Sequence, residues 1–109
     1  MSQIAALLPA ENILLDLDAG SKASLFDAIG ALFESRHGLS RRVVSESLLA
    51  REKLGSTGLG QGIAIPHGRI RGLSAAQGGF VRLRSPIPFD APDGKPVALV
   101  FVLLVPEQA

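Results

Sequence analysis

Nine consecutive apolar residues, Val97-Ala-Leu-Val-Phe-Val-Leu-Leu-Val105, constrain this chain more than any other stretch. The run is far short of the roughly 20 residues that cross a bilayer. Apolar on both faces, it reads instead as the central strand of a sheet covered on both sides. Such a strand needs helices on each face, yet only two helical patterns precede it and four residues follow it. The expectation is that the covering element is missing through truncation or disorder, or is supplied by another chain. The alternative is that the two helices and self-association suffice.

Around that strand the pattern is α/β. Asn12 to Leu17 (NILLDL) reads as a first strand. Ser21 suits an N-cap, and Leu25, Phe26, Ile29, Leu32 and Phe33 then fall on one helical face, ending near His37 and Gly38. Ser40 caps a second helix carrying Val43, Val44, Leu48 and Leu49, which runs to about Lys53 and stops at Gly55. A glycine-rich segment, Gly55-Ser-Thr-Gly-Leu-Gly-Gln-Gly62, reads as a loop, and Ile63-Ala-Ile-Pro-His67 as a short strand ending at the histidine. Gly79 to Arg84 alternates, with Val81 and Leu83 inward and Arg82 and Arg84 outward. Pro86 to Pro96 holds four prolines and the Pro92-Asp-Gly94 triplet, and so reads as a rigid loop. The predicted order, β-α-α-β-β-β, makes one domain over residues 1–109, α/β with a mixed central sheet flanked by helices.

Composition removes several function classes. With 47% hydrophobic and 19% charged residues the chain is globular, and without cysteine it has neither disulfides nor thiolate zinc sites. The start, MSQIAALLPAENI, lacks a basic region followed by an apolar one, so no leader is expected and the cytosol is the default. Charge is uneven: residues 1–34 carry a net −4, residues 35–84 a net +7, and residues 85–109 a net −2. The basic middle is either an ordinary solvated surface or a field that suits phosphate. No basic helix with aromatic platforms supports nucleic-acid binding.

Two histidines are available. His37, at a helix end, reads as a group facing the helix dipole. His67 lies between Pro66, which disfavours helix, and Gly68, which leaves the ring uncrowded. It is either a satisfied loop histidine or a nucleophile towards phosphorus. The glycine segment lacks the Lys-Ser/Thr of a nucleotide P-loop and the final spacing of a dinucleotide fingerprint. It offers main-chain amides, Ser56 and Thr57, just after a helix bearing Arg51, the kinds of group that hold phosphoryl oxygens; each taken singly also fits a tight turn. No carboxylate lies between Glu52 and Asp90 to build a metal site with His67, and no serine has a nucleophile-elbow context.

The whole segment from Arg51 to Arg69, Arg-Glu-Lys-Leu-Gly-Ser-Thr-Gly-Leu-Gly-Gln-Gly-Ile-Ala-Ile-Pro-His-Gly-Arg, resembles the active-site signature of the fructose/mannitol/nitrogen-regulatory IIA proteins of the bacterial phosphotransferase system. Within that branch it is most similar to the nitrogen-regulatory proteins. Ser85-Pro-Ile-Pro-Phe-Asp90-Ala and Phe101-Val-Leu-Leu-Val-Pro106 extend the likeness over essentially the whole chain. The resemblance implies a phosphotransferase component working through a phosphohistidine on Nε2 of His67, with Arg51 balancing phosphate charge and Ser56, Thr57 and Gly58 lining the phosphate pocket. It implies no cofactor or metal. A histidine-containing phosphocarrier protein is the implied donor, and regulatory targets linked to nitrogen and potassium, or a IIB domain in sugar uptake, are the implied acceptors. It implies neither nucleic-acid binding nor membrane insertion. Family members are longer, with a second active-site histidine soon after the Val-Pro strand end, so the C-terminal helical part is expected to be lacking and a binding module without transfer is a third possibility.

Overall fold

A computed structural model describes residues 9–107; the start of the chain, read above for a leader, and its last two residues lie outside the described residues. A 3-10 turn at Ala10–Asn12 leads into β1 (Ile13–Leu17). Helix α1 (Lys22–His37) starts where Ser21 Oγ accepts the Ser24 amide and Ser24 Oγ accepts the Ser21 amide, two otherwise orphaned donors satisfied together. It ends at Gly38, whose φ of 70° is the left-handed conformation that closes a helix. Helix α2 (Arg41–Lys53) is capped by Ser40, which accepts from the Val43 amide.

Among the described residues six strands form one mixed sheet. Besides β1 these are β2 (Gly58–Gly60), β3 (Ile63–Ala64), β4 (His67–Ile70), β5 (Gln77–Ile87) and β6 (Val97–Pro106). The spatial order is β1-β5-β6-β3-β2, with β4 also on β6. β1 runs parallel to β5, β5 antiparallel to β6, and β3 and β4 parallel to β6. The apolar run is thus the central strand, as read. No helix among the described residues is long and apolar enough to cross a membrane.

The structure departs from the sequence reading at two places near His67. The glycine-rich segment is not simply a loop: β2 and β3 pair antiparallel across Gln61 and Gly62, with φ of 59° and 78°, the left-handed values of a tight two-residue hairpin turn. The strand expected to end at His67 instead begins there. β3 and β4 keep one register on β6, Ala64 opposite Val100 and His67 opposite Leu103, but Pro66 cannot donate to the ladder and the strand breaks at residues 65–66.

Both helices lie on one face of the sheet. Leu25, Phe26, Ile29 and Phe33 of α1 and Val44 and Leu48 of α2 form a single buried cluster with Val81, Val100, Val102 and Leu104. Val81 and Leu83 point into it and Arg82 and Arg84 away, as the alternation predicts. Phe89, from the proline-rich loop, closes the cluster with its ring edge-on to Phe26. The opposite face carries Ile13, Phe80, Phe101 and Leu103; Phe101 is 38% exposed, so among the described residues β6 is covered on one side only.

Two polar networks and one close approach hold the frame around the site. Asn12, fully buried, donates to the Gly78 carbonyl (2.9 Å) and accepts from His37 Nε2 (2.7 Å), joining β1's entry to β5 and to the end of α1. His37 therefore has a specific partner beyond the helix dipole, and its ring packs on Phe33. Glu52, on the inner side of α2, accepts from Thr57 N (3.2 Å), Thr57 Oγ1 (2.6 Å) and Lys22 Nζ (2.8 Å). Lys22 also reaches Asp90 and sits over the Phe89 ring. Burial works against the Lys22 ammonium, but its hydrogen bonds to Glu52 and Asp90, with their charges, outweigh it and hold its pKa above the ordinary lysine value. Its share of stability is complete below about pH 10.4 and lost as pH rises through the folded value. Third, Gly68 lets β4 approach α2: a Cβ there would collide with Ser47 Oγ.

Two stability outcomes are expected, each read by urea unfolding. Glu52→Ala, which leaves Thr57 and Lys22 without their main acceptor, costs about 1–3 kcal/mol. Gly68→Ala costs a similar amount, about 1–3 kcal/mol for an overpacked contact, and Ser47→Ala in the same chain restores part of it.

Candidate functional site

The break at Pro66 sets the geometry of His67. With the strand interrupted, the Ile65 carbonyl lies 3.0 Å from His67 Nδ1. A carbonyl only accepts, so Nδ1 carries the proton and donates. On the other side of the ring, Arg51 Nε–H donates to Nε2 at 3.2 Å, so Nε2 holds its lone pair. These two contacts select the neutral Nδ1–H tautomer and aim the unprotonated nitrogen at a guanidinium. His67 is half-buried and pairs in register with Leu103 on β6, its ring turned to Arg51 of α2.

Arg51 reaches that nitrogen from the last turn of α2. Its Nη1 donates to the Gly55 carbonyl (2.9 Å), so the chain leaving the helix fixes the guanidinium against rotation. This contact brings together His67 and Arg51, sixteen residues apart in sequence. Both line an open cleft of about 530 Å³ whose other walls include Ser47 and Ala50 of α2, Leu54 just beyond its end, and Arg69 and Val105 of the adjoining strands. No carboxylate lines the cleft, and among the described residues neither Arg51 nor Arg69 is in an ion pair.

The loop residues stand differently. Ser56, Thr57 and Gly58 are not among the residues lining the cleft. Thr57 gives both its amide and its hydroxyl to Glu52, Ser56 Oγ donates to the Phe89 carbonyl, and the Gly58 amide donates to Ser56 Oγ. These donors are taken by Glu52, Phe89 and Ser56, and the bonds secure the path of the loop. Sequence reasoning missed two participants. Glu52 adjoins Arg51 but turns inward, and an acid on the apolar side of a helix was the available signal. Arg69 follows His67 by two residues on one strand, and the period of two places them on the same side.

Comparison with known proteins places this geometry in a family. Residues 6–109 match the family described as phosphoenolpyruvate-dependent sugar phosphotransferase system, EIIA 2. A nitrogen regulatory protein of Klebsiella oxytoca is 45% identical over 105 residues, covering 95% of this chain and 65% of that protein. The chain thus spans about two thirds of that relative's length. The crystal structure of nitrogen regulatory protein IIA-Ntr from Neisseria meningitidis superposes with a TM-score of 0.92 at 58% identity, covering 99% of this chain and 74% of that one. IIA mannitol from Escherichia coli shares the fold at 25% identity, with a TM-score of 0.74 over 89% of this chain and 70% of that one. A mixed sheet carrying a proline-preceded histidine against a helix-borne arginine, matched over nearly its whole length, makes this chain a member of the EIIA type 2 family of phosphotransferase components, most similar to its nitrogen regulatory proteins.

Proposed function

We propose that this chain is a phosphocarrier that accepts a phosphoryl group on Nε2 of His67 from a phosphorylated histidine-containing phosphocarrier protein, in the cytosol, and acts on regulatory target proteins according to its phosphorylation state. The observation that carries the reading is the pair of contacts on one ring: Nδ1–H bound to the Ile65 carbonyl and Nε2 turned to Arg51. A nucleophilic imidazole must be neutral and must present a lone pair, and this arrangement supplies both.

The step balances without a metal or an external base. The Nε2 lone pair forms the new N–P bond as the donor's N–P bond breaks, and the departing donor imidazole keeps the electron pair. The Nδ1 proton stays in place against the Ile65 carbonyl, which supports the positive charge the ring acquires. Arg51 then shifts its hydrogen bonding from the ring nitrogen to the phosphoryl oxygens, where charge is concentrated. Positioning and electrostatics do the work, as is general for phosphoryl transfer. The bound group adds about −1.5 to −2 charge to a cleft lined by arginines and no acids. That change is large enough to alter which protein surface docks there.

Likeness to IIA mannitol at 25% identity supports a second reading, in which phosphate passes to a IIB partner during sugar import. Transfer from the labelled chain to a purified IIB domain, followed by sugar phosphorylation, selects that reading; its absence selects regulation.

Two outcomes test the proposal. With phosphoenolpyruvate, the first phosphotransferase enzyme and the donor carrier, the wild-type chain takes up label and His67→Ala takes none; label retained by His67→Ala overturns it. Arg51→Ala slows labelling by about 10²-fold, the usual cost of removing one preorganised donor, while its melting temperature stays close to wild type. An equal loss of stability and rate would instead make Arg51 a structural residue.

A further inference from the structure

Arg69 lies in the same cleft as His67 and Arg51 but has no task in the step above. Its backbone is held firmly. It pairs in register with Val105 on β6, and its carbonyl accepts from Ser47 Oγ of α2 at 3.1 Å. Its guanidinium, in contrast, makes no hydrogen bond or ion pair among the described residues, whereas nearby Arg71 reaches Glu107 at 3.7 Å and Arg82 reaches Asp16 at 3.5 Å. A cationic side chain rooted on β4, facing a cleft with no acid in its walls, is left with its charge uncompensated.

Position decides what that charge can meet. Arg69 follows His67 by two residues on β4, so their side chains leave the same face about 6.5–7 Å apart along the strand. Arg51 approaches His67 from α2 with its Nε and Nη1 already committed to the ring and to Gly55. A tetrahedral oxyanion at Nε2 therefore has Arg51 towards the helix and Arg69 along the strand. The cleft, at about 530 Å³, has ample room for such a group. The planar guanidinium fork is matched to two oxygens of a phosphate at once.

We infer that Arg69 is a second oxyanion-binding residue, and that the cleft takes a phosphate-class oxyanion between Arg51 and Arg69 before any bond to His67 forms. The inference builds on the proposed acceptor role of His67, but binding of the oxyanion itself does not require transfer.

The test compares wild type, Arg69→Gln and Arg69→Lys in two arms. In the first, inorganic phosphate is titrated into each protein and the His67 ring resonances are followed by NMR. In the second, KM and kcat are measured for transfer from the phosphorylated donor carrier. Arg69→Gln is expected to weaken inorganic phosphate binding about two- to fivefold, the scale of one exposed charge contact. Arg69→Lys recovers part of that loss, and the melting temperature stays unchanged in both. Equal phosphate affinity in wild type and Arg69→Gln, or no phosphate binding by wild type, overturns the inference. So does a raised KM for the carrier with phosphate affinity unchanged, which would make Arg69 a contact to the carrier protein. Failure of every protein to take label at His67 would sink the proposed function, while the phosphate arm would still decide the role of Arg69.

Discussion

Pro66 has no amide hydrogen, and the interruption it makes between β3 and β4 sets the Ile65 carbonyl against Nδ1 of His67. From that one constraint follows the protonation pattern of the ring. Nδ1 donates, Nε2 keeps its lone pair, and Arg51 can hydrogen-bond to the ring only because Nε2 is unprotonated. A protonated Nε2 would set two donors against each other. The register on β6 continues through the break, so His67 gains its special backbone partner without losing its anchorage in the sheet.

The second requirement is that α2 stay close to β4. Gly68 permits the approach, Ser47 bridges to the Arg69 carbonyl, and Arg51 spans the gap to the ring. Below the helix end, Glu52 draws in Thr57 and Lys22, so the chain leaving α2 follows a set path past Gly55, whose carbonyl holds the Arg51 guanidinium. Adjacent residues thus serve opposite ends: Arg51 faces the cleft, and Glu52 secures the loop from within. A buried carboxylate near a helix C-terminus is opposed by the helix dipole, and the Lys22 ammonium together with the Thr57 donors offsets that.

Much of this was legible in the chain before any coordinates. Ser21, Gly38 and Ser40 mark helix ends through local hydrogen bonding and backbone conformation, which depend on neighbours in sequence. The alternation Val81-Arg82-Leu83-Arg84 assigns inward and outward sides correctly because a strand's period is fixed by its pleat. The pairing of Arg51 with His67 was reached through resemblance, not through spacing. The glycine-rich segment was misread in part, since two- and three-residue strands exist only by pairing with each other and with β6. Its hydroxyls and amides looked like phosphate ligands because donor chemistry is visible in sequence and donor direction is not. Only the fold shows those donors turned to Glu52 and Phe89.

Local chemistry alone settled where the helices begin and end and that β6 is the central strand. These depend on caps and side-chain period, which act over a few residues; the break before His67 emerged only in the fold. Which nitrogen of His67 holds the proton, which guanidiniums face the cleft, and which face of the sheet the helices cover were decided only by tertiary structure. Each depends on groups brought together from distant segments, such as Arg51 and His67 across sixteen residues, or Lys22 and Glu52 across thirty.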